Sequence, residues 1–190
     1  MKNRSNLFFL IAACVIVLSY AYYSFFIKSS DKNEVQAKLE AILGSQVNIA
    51  DSAYIGADGT YFSLESVRYP LMIEYYDNDV CTSCSERGFS KWKEMLSEVD
   101  SSKYTFVLIF HSRINEYEPF FDMIRNIGIN CKCYKDLDGR FLADNPVLST
   151  SDKFYYAFLL NRKKEIEVAG LPLYNNKLWQ LYKNQINTVD

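Results

Sequence analysis

Cys81 and Cys84, in the stretch "DVCTSCSERGFSKW", are the residues whose type and spacing best suit chemistry. They stand directly ahead of a segment patterned like a helix. Across the first turn of a helix, thiols at i and i+3 can close a disulfide or open to a dithiol with little backbone movement. Unpaired amide N–H groups and the positive end of the helix dipole there stabilise a thiolate at the first cysteine. The same spacing also serves as half of a metal site or as a structural clip. A loop this short constrains the unfolded chain little, which weighs against the clip.

A second pair, Cys131 and Cys133 in "INCKCYKD", falls in a short extended segment. Residues two apart on a strand share a face, so both thiols line one surface. One reading is a second redox pair that exchanges with Cys81 and Cys84, or a four-thiolate metal site built from both pairs. The expected reading is plainer: a local disulfide, or two small residues in a half-buried strand. Strand geometry alone does not bring this face to the CxxC. His111, the single histidine, closes the run "VLIFHSR" and reads as a polar residue at a strand end. Ser85 follows Cys84, so the CxxCH haem signature is absent. No metal and no cofactor is expected, and no phosphate loop or serine–histidine arrangement stands out.

These residues need a scaffold. The chain has 190 residues, 49% of them hydrophobic, enough for one core and an appendage. Lys+Arg (21) and Asp+Glu (23) nearly cancel, and no basic stripe interleaves with aromatics, which excludes nucleic acid as a partner. From Ser5 to Ile27 no charged residue occurs. Its apolar part, 7–27, is long enough to cross about 30 Å of hydrocarbon at about 1.5 Å per residue, and Tyr20, Tyr22 and Tyr23 suit an interface. Lys2 and Arg4 ahead of it favour a single-pass anchor in a bacterial inner membrane with the body in the periplasm. The alternative anchor is a lipid on Cys14, because "IAAC" resembles the bacterial lipobox. The expected organisation is an anchor over 1–28, a linker and short helix over 29–43, and one domain over 44–190.

In the short helix, Val35, Leu39, Ile42 and Leu43 share a face, with Gly44 as its stop. Short extended pieces follow. "LMIEYY" (71–76) reads as a strand, and Phe89, Trp92, Leu96 and Val99 as one helix face. "YTFVLIF" (104–110) reads as a strand buried on both sides. Tyr117, Phe120, Phe121, Ile124 and Ile127 mark a second helix ending at Gly128, with Pro119 in its first turn. "LDGRFLADNPVLSTSD" reads as a loop. "KFYYAFLLN" and "EIEVAGL" read as strands joined by a charged turn, and Leu178, Leu181 and Tyr182 as the inner face of a closing helix. The order predicts an α/β mixed sheet covered by helices on both faces.

A strand, a CxxC opening the next helix, a βα unit and a closing hairpin and helix together resemble the thioredoxin fold. The extra "INCKCYKD" segment and the short strands before "PLMIEYY" are similar to its membrane-tethered TlpA and redoxin branch. The tail, with "P-x-Y-N" at Pro172 to Asn175 and "W-x-L-Y" at Trp179 to Tyr182, resembles thioredoxin-like proteins of Bacteroidetes. The resemblance implies thiol–disulfide exchange with exported protein thiols or disulfides, served by a membrane or periplasmic redox partner. Cys81 would be the nucleophile and Cys84 the resolving thiol. Asp77 and Asp79 would oppose ionisation of Cys81, and Arg87 and Lys91 would favour it. The chain departs from the family at Val80, where an aromatic is usual. It departs again at Tyr155 or Tyr156, where a cis-proline normally shapes the substrate groove. These departures keep a second expectation open: a binding or scaffold module that retains the fold without the chemistry.

Overall fold

The computed structural model describes residues 14–19, 36–77, 82–111, 117–149 and 153–188, with backbone alone for 82–85 and 154. The chain divides into two compact units, Met1–Glu40 and Ala41–Asp190. In the first, residues 14–19 are helical and leave Val15, Ile16, Val17 and Leu18 exposed. Among the described residues no helix is long and apolar enough to cross a membrane. Most of the predicted anchor, 7–27, lies outside them. A short helix, α1, covers residues 36–42. Ile42 at its end is buried, but Leu43 is exposed, because it already belongs to the turn that Gly44 closes at φ 78°. Val35 lies outside the described residues.

The second unit is built on a six-stranded mixed sheet in the order β1-β4-β3-β2-β5-β6. Its strands are β1 (Ile55–Gly56), β2 (Leu71–Asp77), β3 (Thr105–His111), β4 (Lys132–Lys135), β5 (Ala157–Leu160) and β6 (Ile166–Ala169). β2, β3 and β4 run parallel, whereas β1, β5 and β6 pair antiparallel to their neighbours. Parallel neighbours require crossovers. Helices α2 (Thr82–Leu96) and α3 (Glu118–Ile127) supply them, and α6 (Asn176–Thr188) closes the chain.

Alternation along β2 sorts the side chains into two layers. Met72 faces the first layer, with Phe89 and Trp92 of α2, Phe121 and Ile124 of α3, and Trp179, Tyr182 and Ile186 of α6. Leu71, Ile73 and Tyr75 face the second. There Tyr75 stacks on Phe141 at 4.9 Å, and Phe141 meets Tyr54 and Phe158. Helices thus cover both faces, but not all from the expected segments. The stretch read as a loop holds two short helices, α4 (Arg140–Asp144) and α5 (Pro146–Ser149). Phe141 and Leu148 are their buried anchors, and five- and four-residue helices are too short to show a periodic signature.

Two further expectations need correction. Lys153–Tyr156 forms a 3-10 turn, so β5 begins only at Ala157. On α6 the inner face is Trp179, Tyr182 and Ile186, whereas Leu181 is 55% exposed. Positions i, i+3 and i+7 lie along one stripe, and Leu181 points away from it. The "P-x-Y-N" and "W-x-L-Y" patterns have structural roles. Asn175 Oδ1 accepts from the Leu178 N–H at 3.1 Å, capping α6, and the Tyr182 hydroxyl donates to Gly170 O at 2.9 Å.

Candidate functional site

β2 is the strand that delivers the cysteine pair. Its first half, Leu71 to Glu74, pairs with β3 and β5 on either side and is buried, whereas its last residues, Tyr75 to Asp77, pair with β3. The next helix, α2, begins at Thr82. Cys84 therefore lies on the first turn of a fifteen-residue helix, and Cys81 immediately precedes the described start. Cys81 itself lies outside the described residues, as do Asp79, Val80 and the side chain of Cys84. Phe89 and Trp92, each fully buried, pin α2 to the sheet.

Beneath α2 lies a group that the sequence reading passed over. Glu74 of β2 is buried, on the same face as Met72. Burial pushes its carboxyl up to about 8, offset in part by the Tyr76 phenol and the Trp92 indole. Neither the Trp92 Nε1 nor Glu74 Oε2 has a hydrogen-bond partner among the described residues. Tyr76 stacks on Phe110 at 5.0 Å, and burial holds its hydroxyl well above the usual range. The signal was available in sequence: a lone carboxylate inside "LMIEYY", in register with apolar residues two positions away.

The closing ends of the strands carry a polar rim. Asp77 and His111 are opposite one another in the β2–β3 register. His111 is a strand-end residue, as expected, and its Nδ1 donates to Asp136 O at 2.8 Å. The charges expected to tune Cys81 have other engagements. Asp77 meets Lys153 at 3.9 Å, and Lys91 pairs with Glu94 at 2.9 Å. Arg87 is exposed. No proline precedes β5, where Lys153 to Tyr156 occupy the 3-10 turn; the Tyr156 ring meets Tyr75 edge-on at 5.8 Å.

Cys131 and Cys133 do share a face, with their Sγ atoms 3.6 Å apart. Cys133 is level with Leu108 and, across it, with Glu74. The pair is therefore two strands from β2 and beside the body of the sheet, not beside the strand end that leads to Cys81. No group of three or more metal-ligating side chains gathers among the described residues.

The fold of the described domain is similar to that of solved structures. Residues of this chain superpose on the thioredoxin domain of a thiol-disulfide oxidoreductase from Bacteroides vulgatus with a TM-score of 0.52 at 14% identity, covering 75% of this chain and 98% of that one. A thiol:disulfide interchange protein from a Bacteroides species superposes at 0.53 and 13% identity, covering 79% and 94%. The fold is thioredoxin-like. This thioredoxin-like chain also spans 56% of the length of a thioredoxin-like protein from Bacteroides caccae, at a TM-score of 0.49. No family model and no curated protein matches the sequence.

Proposed function

We propose that the chain is a membrane-tethered thiol–disulfide oxidoreductase of the TlpA and redoxin type. It would act on exported proteins through Cys81 and Cys84. The observation that carries this reading is the start of α2 within the CxxC, directly after the central strand and over a buried carboxyl group. The helix N-terminus favours a thiolate on Cys81. That thiolate attacks one sulfur of a partner's disulfide and expels the other as a thiolate. Cys84 then loses its proton and attacks the Cys81 sulfur, which closes the Cys81–Cys84 bond and releases the partner's second thiol. Run in reverse, the same steps oxidise a partner dithiol.

The anchor is part of the proposal. Exposed Val15 to Leu18 on a helical stretch suit lipid surroundings, and the leading Lys2 and Arg4 favour a body in the periplasm. Lipidation at Cys14 is the alternative tether. The reaction partners are exported protein thiols or disulfides and a membrane or periplasmic redox protein.

One observation favours a second reading. The turn before β5 carries no proline, so the usual edge for an extended substrate is altered, as in a module that binds without reacting. Equilibrating the full chain in glutathione and dithiothreitol buffers separates the two. Mapping the thiols by mass, with Cys84→Ser as control, should show a reversible two-electron Cys81–Cys84 couple. A pair that never closes, or closes and never reopens, makes the binding module the better account.

A further inference from the structure

Cys131 and Cys133 stand apart from the site above, and their surroundings have chemistry of their own. Cys131 precedes β4 in a tight turn, with its N–H donating to Ile129 O at 3.0 Å. Cys133 is the second residue of β4. The turn folds the first thiol back toward the second, which explains a separation of 3.6 Å for residues two apart on an extended chain. A disulfide needs about 2.05 Å, so a modest adjustment of the turn closes the bond.

The pair is also reachable. β1 pairs with β4 only at Tyr134 and Lys135, which leaves the edge at Lys132 and Cys133 without a neighbouring strand. A groove of about 610 Å³ opens there, between α3 and the Gly56–Ser66 segment, and both half-buried cysteines line it. A second groove of about 360 Å³ reaches Cys131 from the Arg68 side. Asp58, Arg125 and Lys132 border the larger groove, with Arg125 paired to Asp122 at 3.2 Å and Lys132 donating to Ser66 O at 2.8 Å, so it carries no strong charge of either sign. A groove of this volume takes a small molecule.

We propose that Cys131 and Cys133 form a second thiol–disulfide site, which exchanges with low-molecular-weight disulfides. One of the two thiolates attacks one sulfur of the small disulfide, forming a mixed disulfide and expelling one thiolate, which takes up a proton. The other cysteine then loses its proton and attacks the protein sulfur of the mixed disulfide, releasing the second small thiol. The net change is one small disulfide and two cysteine thiols converted into one protein disulfide and two small thiols. The site operates without Cys81 and Cys84, so its failure and theirs are separate outcomes.

The test uses the full chain in detergent micelles with Cys14→Ser, Cys81→Ser and Cys84→Ser, leaving only this pair. Oxidised glutathione should remove two hydrogens from the protein's mass, and reduced glutathione should restore them. Adding Cys131→Ser or Cys133→Ser should leave the mixed disulfide with glutathione trapped on the remaining thiol. Thermal melts of each variant confirm folding, with Cys131→Ala and Cys133→Ala in reserve. The proposal is overturned if both thiols stay free in the folded protein while the urea-unfolded chain closes. It is equally overturned if the bond links two chains.

Discussion

Two carboxylic acids are sealed into this sheet, one on each face, and they are held in opposite ways. Asp136, just after β4, is fully buried toward the second layer. Its oxygens accept from the Arg140 and Phe141 N–H groups at 2.9 Å each and from the Tyr75 hydroxyl at 3.2 Å. Those two amides open helix α4, so the carboxylate ties the end of a strand to the start of a helix and anchors Phe141 in the core. Glu74 faces the first layer under α2, with one oxygen unpartnered among the described residues and its carboxyl pushed up to about 8. A buried acid with filled hydrogen-bonding capacity is part of the architecture. One with unfilled capacity is retained against its desolvation cost, and such groups cluster where protons move.

The largest test of this contrast is Asp136→Ala. It strands two backbone donors and a phenol in a buried layer, and should lower the free energy of unfolding by about 3 kcal/mol in urea titrations. An undiminished midpoint would remove Asp136 from its structural role. Glu74→Gln should act in the other direction and only at high pH. The Glu74 carboxyl titrates higher in the folded chain (about 8) than its ordinary value of 4.5. The folded state thus holds a proton that the unfolded state has lost, and stability falls as pH rises from about 4.5 to about 8. Gln cannot ionise, so the variant should lose this slope. It should match the parent near pH 4.5 and exceed it by about 1–3 kcal/mol at pH 9. Parallel pH profiles for the two proteins would refute the assignment.

Smaller changes sharpen the comparison. Tyr75→Phe removes one of three donors to Asp136 and keeps the ring that stacks on Phe141, so a loss of about 1 kcal/mol is expected. Gly88→Ala probes the helix over Glu74. A Cβ there meets only Leu173 Cδ1 at 3.5 Å, an ordinary contact, so the helix should gain about 0.5–1 kcal/mol in thermal melts. The pH slope should be untouched.

Much of this was legible in the sequence. The run from Phe106 to Phe110 reads as a doubly buried strand and is one. Phe121 and Ile124 mark the inner face of α3, Pro119 sits in its first turn, and Gly128 ends it in the left-handed conformation at φ 75°. The CxxC was placed at a strand-to-helix junction, and α2 begins there. What escaped were α4 and α5, whose helical state depends on Asp136 and on Asn145, which accepts from the Asn48 N–H and donates to Phe141 O. Leu181 escaped as well, because on α6 several apolar stripes compete and only docking against β6 selects one.

Local periodicity and chain punctuation thus determined the long helices and the central strands, and which cysteine pair meets the start of α2, because those features depend on residues a few positions apart. Tertiary structure alone decided that Glu74, Leu108 and Cys133 form one row across three strands. It also decided that Trp92 covers that face, and that the β4 edge stays open beside two thiols. Those relations are set by strand register and helix docking between distant parts of the chain, and nothing in the spacing of neighbouring residues encodes them.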